Sequence, residues 1–325
     1  MGGSISVANR QKMCLQFYVG WLHCPLAGFM KKKLHARGVV SGLLAAISYG
    51  LNPLFAMPMI LAGIGVNSIL FYRYFFATLI YGCLLKSVRK IDLRLSLREF
   101  AVLLFMALLY SFSSITLFSS FQYIDVGISC TLLFVYPTLV AIISALFFGE
   151  KMSLGVVMAI GLTTAGVVLL SRGSLGAELN PTGLCQVFIS ALLYALYIIG
   201  VRQLKTIRHM RSEKLNFYIM LMGLMVYVCN LHFCTNLQIP DSPLLWVCAV
   251  LLAIIPTIVS LESLTVAIKL IGATRTAILG ALEPLTAIIV GVSFFGEQLS
   301  WRIILGFFLI VIGVLLVVSR RPMAS

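Results

Sequence analysis

Two stretches decide the fold: PTLVAIISALFFGEKMS at residues 137–153 and PLTAIIVGVSFFGEQLS at residues 284–300. At a constant offset of 147 they share seven of seventeen positions. These are Pro137 with Pro284, Ile142 with Ile289, the FFGE of 147–150 with that of 294–297, and Ser153 with Ser300. Apolar segments match easily in their aliphatic residues, but a proline, an acid and a serine kept in register are a stronger signal. Gly166 and Gly313 continue at the same offset. Upstream, SGLLAAISYG (41–50) resembles VFISALLYA (187–195), with Tyr49 opposite Tyr194 at an offset of 145. The chain therefore reads as two copies of one unit, residues 37–173 and 181–321.

Composition says where those units live. Of 325 residues, 61% are hydrophobic and 10% charged, and mean hydropathy is +1.06. A soluble domain has roughly 45–50% apolar and about 25% charged residues, and disorder needs low hydrophobicity. Both are excluded, which leaves a polytopic membrane protein. Crossing the hydrocarbon core takes about 20 apolar residues as helix. Ten such runs stand at 37–57, 67–86, 99–119, 126–148, 154–171, 181–201, 215–235, 243–265, 274–295 and 301–319. They are too long for barrel strands, and only helices or closed barrels satisfy backbone groups in lipid. The expected fold is all-α, with ten transmembrane helices in two five-helix repeats.

The charges orient it. Of 24 Lys and Arg, 21 fall on one side of this topology, Arg172 and Arg302 on the other, and Arg73 within a span. Basic loops stay in the cytoplasm, so both termini are expected there. The expected location is a plasma membrane, and a bacterial inner membrane suits the charge bias. The net charge of +14 thus reads as topology rather than as a nucleic-acid surface. Five is odd, so the second repeat enters the membrane inverted, as in many secondary transporters. Residues 1–36 are expected to form an interfacial or disordered extension. Its apolar part, 13–30, is broken by Gly20, His23, Pro25 and Gly28. Alternatives for it are an eleventh span or a chain that truly begins at Met30.

The P…FFGE…S motif ending each half, on ten spans, resembles the EamA family of the drug/metabolite transporter superfamily. IGATRTAILGALEPLTAIIVGVSFFGEQLSWRIILGFFLIVIGVLLV (271–317) carries the closest likeness, and VGISCTLLFVYPTLVAIISALFFGEKMS (126–153) carries the rest. The resemblance covers about residues 30–321. It implies a carrier that exports amino acids or other small metabolites. Relatives move sugar phosphates and nucleotide sugars. The Glu283-Pro284 pair resembles the family's pattern in its central helix, and the family often has an arginine where Arg73 stands.

Polar residues at membrane depth are the candidate site, because a charge at a helix centre costs roughly 2.5–3.5 kcal/mol on insertion scales. Glu262 is the deepest acid, a partner for a substrate amine or a proton carrier; otherwise it is a hydrogen-bonded packing group. Glu283 has Tyr136 as its repeat equivalent, before Pro137. Both prolines are expected to kink their helices and open a cavity. Arg73 offers five donors to a carboxylate or phosphate, or else pairs between helices. Tyr49 and Asn52, three apart, share a helix face, as do Tyr194 and Tyr197. Tyr110 and Ser113 add polar groups in the third span. These ten residues are the candidate substrate contacts.

Catalytic signatures are missing. The sequence holds no GxxxxGK[ST] loop, no HExxH, no Asp-rich magnesium motif and no CxxC pair. The four histidines and eight cysteines are scattered. No cofactor and no enzyme activity are expected. The partners expected are a small-molecule substrate and the bilayer, with proton coupling through Glu262 or Glu283 as one energy source beside substrate gradient and exchange. The alternative is an integral membrane lipid-handling protein or enzyme without a recognisable motif.

Overall fold

The computed structural model describes residues 25–88, 90–120, 122–124, 129, 132–150, 152–171, 180–295 and 301–318. Helix is the only regular structure among them. The first half holds α1 (Pro25–Gly50), α2 (Asn52–Leu61), α3 (Val66–Cys83), α4 (Leu97–Ser120), α5 (Tyr136–Phe148) and α6 (Leu154–Ser171). The second holds α7 (Pro181–Gln203), α8 (Lys205–His209), α9 (Ser212–Asn230), α10 (Pro243–Ala253) and α11 (Ser260–Ile271). It ends with α12 (Ala273–Leu279), α13 (Leu282–Phe295) and α14 (Trp301–Val318).

Each of the ten expected intervals contains helix, but not as ten plain rods. Five windows are long and apolar enough to cross a bilayer: Lys33–Leu61, Val66–Ser87, Leu97–Ser120, Pro181–Gln203 and Pro243–Ile271. Tyr136–Phe148, Leu154–Gly166 and Ile304–Leu316 are shorter apolar helices. Helix α1 starts at Pro25, so residues 25–36 of the extension are helical and continuous with the first span. Residues 1–24 and the second FFGE loop, 296–300, lie outside the described residues.

Local chemistry explains the ends. Asn180 accepts from the Thr182 amide at 2.9 Å and Ser242 from the Leu245 amide at 3.4 Å. Each is an N-cap followed by proline, whose missing N–H costs nothing in a first turn. Ser96 and Glu99 form a capping box: Glu99 Oε2 accepts from the Ser96 amide at 3.0 Å, and Ser96 Oγ from the Glu99 amide at 3.2 Å. Between α10 and α11 the backbone is a π-helix over Ile254–Val259. Pro256 lies inside it and cannot donate, so the regular ladder is interrupted there.

The dominant helix contacts cross between the halves: α6 with α14, α1 with α11, α4 with α7, and α3 with α9. Equivalent helices of the two repeats run in opposite directions. A Cβ on Gly166 of α6 would lie 2.7 Å from the Gly306 carbonyl oxygen of α14, and one on Gly313 would lie 2.6 Å from Thr163. Rising numbers in α6 thus meet falling numbers in α14, and the two repeat-related glycines set the close approach. The pair α3 and α9 behaves alike. Asn67 meets Asn230 at 3.0 Å, whereas a Cβ on Gly82 would come 2.9 Å from Phe217.

Apolar side chains such as Phe105, Phe112, Phe188 and Leu192 face outward, while Arg73, Tyr136, Tyr197 and Tyr227 are fully buried. A soluble protein would invert that arrangement; a lipid-solvated one gains from it.

Candidate functional site

The site is built from broken helices. The first span stops at Gly50, turns at Leu51 and restarts as α2 with Pro53 in its first turn. The ninth is divided at Gly280–Ala281 into α12 and α13. Its repeat equivalent turns at Phe134–Val135 before α5, which opens on Tyr136-Pro137. Pro137 and Pro284 each sit in the first turn of the helix that follows the interruption, where the missing donor is tolerated. Discontinuous helices at the interface of inverted repeats are where transporters build binding sites.

The breaks fit together closely. Gly280 has no side chain because the Tyr136 hydroxyl fills the place of its Cβ. That hydroxyl donates to the Ala277 carbonyl at 3.4 Å. A Cβ on Gly50 would lie 2.6 Å from both the Glu283 carbonyl oxygen and Thr286 Cβ. The broken first span thus rests on the start of α13.

A cavity enclosing about 720 Å³, its open side included, lies among these breaks. Its polar lining among the described residues is Tyr49, Asn52, Tyr136 and Glu283, and Met57, Phe118 and Phe134 are among its apolar walls. Both halves contribute. Among the described residues nothing hydrogen-bonds or ion-pairs with the Glu283 carboxyl. The Oδ1 of Asn52 is buried and accepts no hydrogen bond there. A mostly apolar pocket with a few convergent polar groups is the usual form of a small-molecule site.

Six expected contacts lie elsewhere. Arg73 is 1% exposed and stands behind the cavity wall. Its Nε donates to Thr257 Oγ1 at 2.6 Å and its Nη2 to the Pro256 carbonyl at 3.1 Å, while its guanidinium carbon lies 5.7 Å from the Tyr49 ring centre. It closes the π-helix and backs a cavity residue. Tyr194 packs on Tyr136 with ring centres 4.8 Å apart, and Tyr110 on Tyr197 at 4.9 Å. These rings form a column from the cavity into the bundle. Ser113 bonds Ser190 across α4 and α7, to its carbonyl at 3.0 Å.

Glu262 belongs to a different cluster. Its Oε2 accepts from Tyr81 at 2.7 Å and from Asn216 Nδ2 at 2.6 Å, and Thr265 donates to Asn216 Oδ1 at 2.8 Å. The cluster ties α3 to α9 and α11 near the end of the bundle that carries Arg94, Arg98, Arg211 and Lys214. More contacts join the halves at that basic end. Lys214 donates to the Arg94 carbonyl at 2.6 Å and lies 3.5 Å from Glu99. Glu150, of the first FFGE motif, accepts from Thr274 in the first turn of α12 at 3.1 Å.

Comparison with known proteins agrees with this layout. The family model described as the EamA-like transporter family matches twice, over residues 36–172 and 181–319. A solved crystal structure, described only as that of a protein, has a TM-score of 0.73 and 17% sequence identity. The match covers 88% of this chain and 98% of that one. At that identity it speaks for the fold alone. No curated protein matches the chain.

Proposed function

Because the chain belongs to the EamA-like transporter family, we propose that it is a ten-span secondary carrier that exports a small polar metabolite through the cavity at Glu283. One observation carries the reading: a carboxyl with no partner among the described residues, at a helix break, inside a cavity that both repeats line. An ionised carboxyl in apolar surroundings is costly unless something pairs with it. A site that binds cargo or a proton in passing gives it that partner.

With both termini in the cytoplasm of a cell whose plasma membrane holds the protein, the basic end faces inward. The cavity, beyond the break in the first span, then lies in the outer half. The Glu262 cluster and the contacts of Lys214 and Glu150 close the inner half. This is the outward-facing member of an alternating pair, and inward opening requires those inner contacts to part. Glu262 therefore acts in the inner gate rather than on cargo, and proton coupling runs through Glu283.

The test compares solutes released by cells that express the chain, cells that lack it, and cells with Glu283→Gln. At least one small solute should accumulate outside at least tenfold faster with the intact chain, and the gain should vanish in the variant. Equal release by all three would contradict the proposal.

A further inference from the structure

We propose that the cavity selects organic cations, amines that carry no carboxylate, over zwitterionic amino acids. The proposal rests on the carrier reading and narrows its cargo.

The one charged side chain in the lining, among the described residues, is an acid. Glu283 brings that carboxyl, and Asn52 a neutral amide whose Oδ1 is buried without a partner and whose Nδ2 can donate. The Tyr136 proton goes to the Ala277 carbonyl. Among the described residues no lysine, arginine or histidine lines the cavity. Arg73 has two of its nitrogens engaged with Thr257 and Pro256.

Helix starts could supply amide donors to an anion, and three of them border the cavity: α2, α5 and α13. Each carries a proline in its first turn, Pro53, Pro137 and Pro284, and so lacks one donor there. The neighbouring amides turn back on their own chain: Leu54 to Leu51 O at 3.1 Å, Thr138 to Val135 O at 3.1 Å, and Glu283 to Gly280 O at 2.8 Å. At α13 the anion is already built in, since Glu283 occupies the first turn. A substrate carboxylate would thus meet a carboxyl, one neutral amide and three starts short of donors. An ammonium group would meet the carboxyl and the Asn52 amide oxygen. The apolar walls fit a hydrocarbon body.

Three probes with one skeleton separate the charges: phenethylamine, phenylalanine and 3-phenylpropionate. Binding and uptake are measured on the full chain in proteoliposomes. Phenethylamine should bind at least tenfold more tightly than phenylalanine, with 3-phenylpropionate below detection, and Glu283→Gln should weaken the amine at least tenfold. Phenylalanine or 3-phenylpropionate binding as well as the amine would overturn the proposal; Arg73 turning to a carboxylate would give that result. Binding of none of the three, or an amine affinity unchanged by Glu283→Gln, would overturn it too. Should that variant not fold, the ratios on the unmodified chain decide alone. Amine binding without uptake would sink the carrier reading and leave the selectivity standing. Phenylalanine uptake without amine preference would do the reverse.

Discussion

Arg73→Ala is expected to be among the least stable single variants of this chain, losing about 3–5 kcal/mol through two hydrogen bonds from a charged donor and the void left behind. The guanidinium is 1% exposed and holds Thr257 at 2.6 Å and the Pro256 carbonyl at 3.1 Å. Pro256 has no N–H, which frees a carbonyl one turn earlier, and Thr257 Oγ1 donates to the Leu252 carbonyl there at 2.8 Å while accepting from Arg73, so the guanidinium anchors the hydroxyl that bridges the interruption at Ile254–Val259. Truncation removes the donor to Thr257 and to the Pro256 carbonyl, opens a void and removes the cation beside Tyr49. The thermal midpoint in detergent should fall by roughly 10 °C. Arg73→Lys should recover less than half of the loss, because a single ammonium cannot reproduce the planar fork. An unchanged midpoint would show that the guanidinium does not hold this joint.

Glu283→Gln should leave the fold intact and stop transport. Among the described residues its carboxyl has no protein partner, so the amide replaces it without breaking a contact, and the thermal midpoint should move by no more than about 2 °C, a surface-like effect. The initial rate of phenethylamine transport should fall at least tenfold, which corresponds to about 1.4 kcal/mol. In the intact chain, acid on the outer side should accelerate export, since a proton can reach Glu283 from the outer cavity and replace departing cargo. That acceleration should disappear in Glu283→Gln. In Glu262→Gln it should persist, because Tyr81 can still donate to the amide oxygen and keep the inner cluster together. Export indifferent to an imposed pH gradient would remove the proton from the mechanism.

The same residues show what a sequence reveals and what it hides. The repeat was legible because Pro137 and Pro284, with the acids of FFGE, stand out from apolar neighbours. Four cavity residues, Tyr49, Asn52, Tyr136 and Glu283, were legible because each sits beside a proline or opposite its repeat equivalent. The break at Leu51 left a signal in Asn52-Pro53, a pair that disfavours continued helix. Following that signal would have added Met57, on the restarted α2, to the expected lining.

An apolar run fixes neither the depth of a side chain nor its rotation about the helix axis. Glu262, expected as the deepest acid, stands near the basic end of the bundle and turns to Tyr81 and Asn216, partners 181 and 46 residues away. Arg73 likewise bonds a π-helix, whose register no 3.6-residue periodicity announces. Ser113 and Ser190 meet only because α4 and α7 come from different repeats.

The most direct test of the central claim, a Glu283 cavity opened alternately to each side, is cysteine access. The eight native cysteines are replaced, and Met57→Cys is placed in the cavity wall. A membrane-impermeant thiol reagent is then applied to right-side-out and to inside-out vesicles. The account predicts labelling from both faces, with phenethylamine slowing it at each. Labelling from one face alone, at a rate no cargo changes, would contradict it.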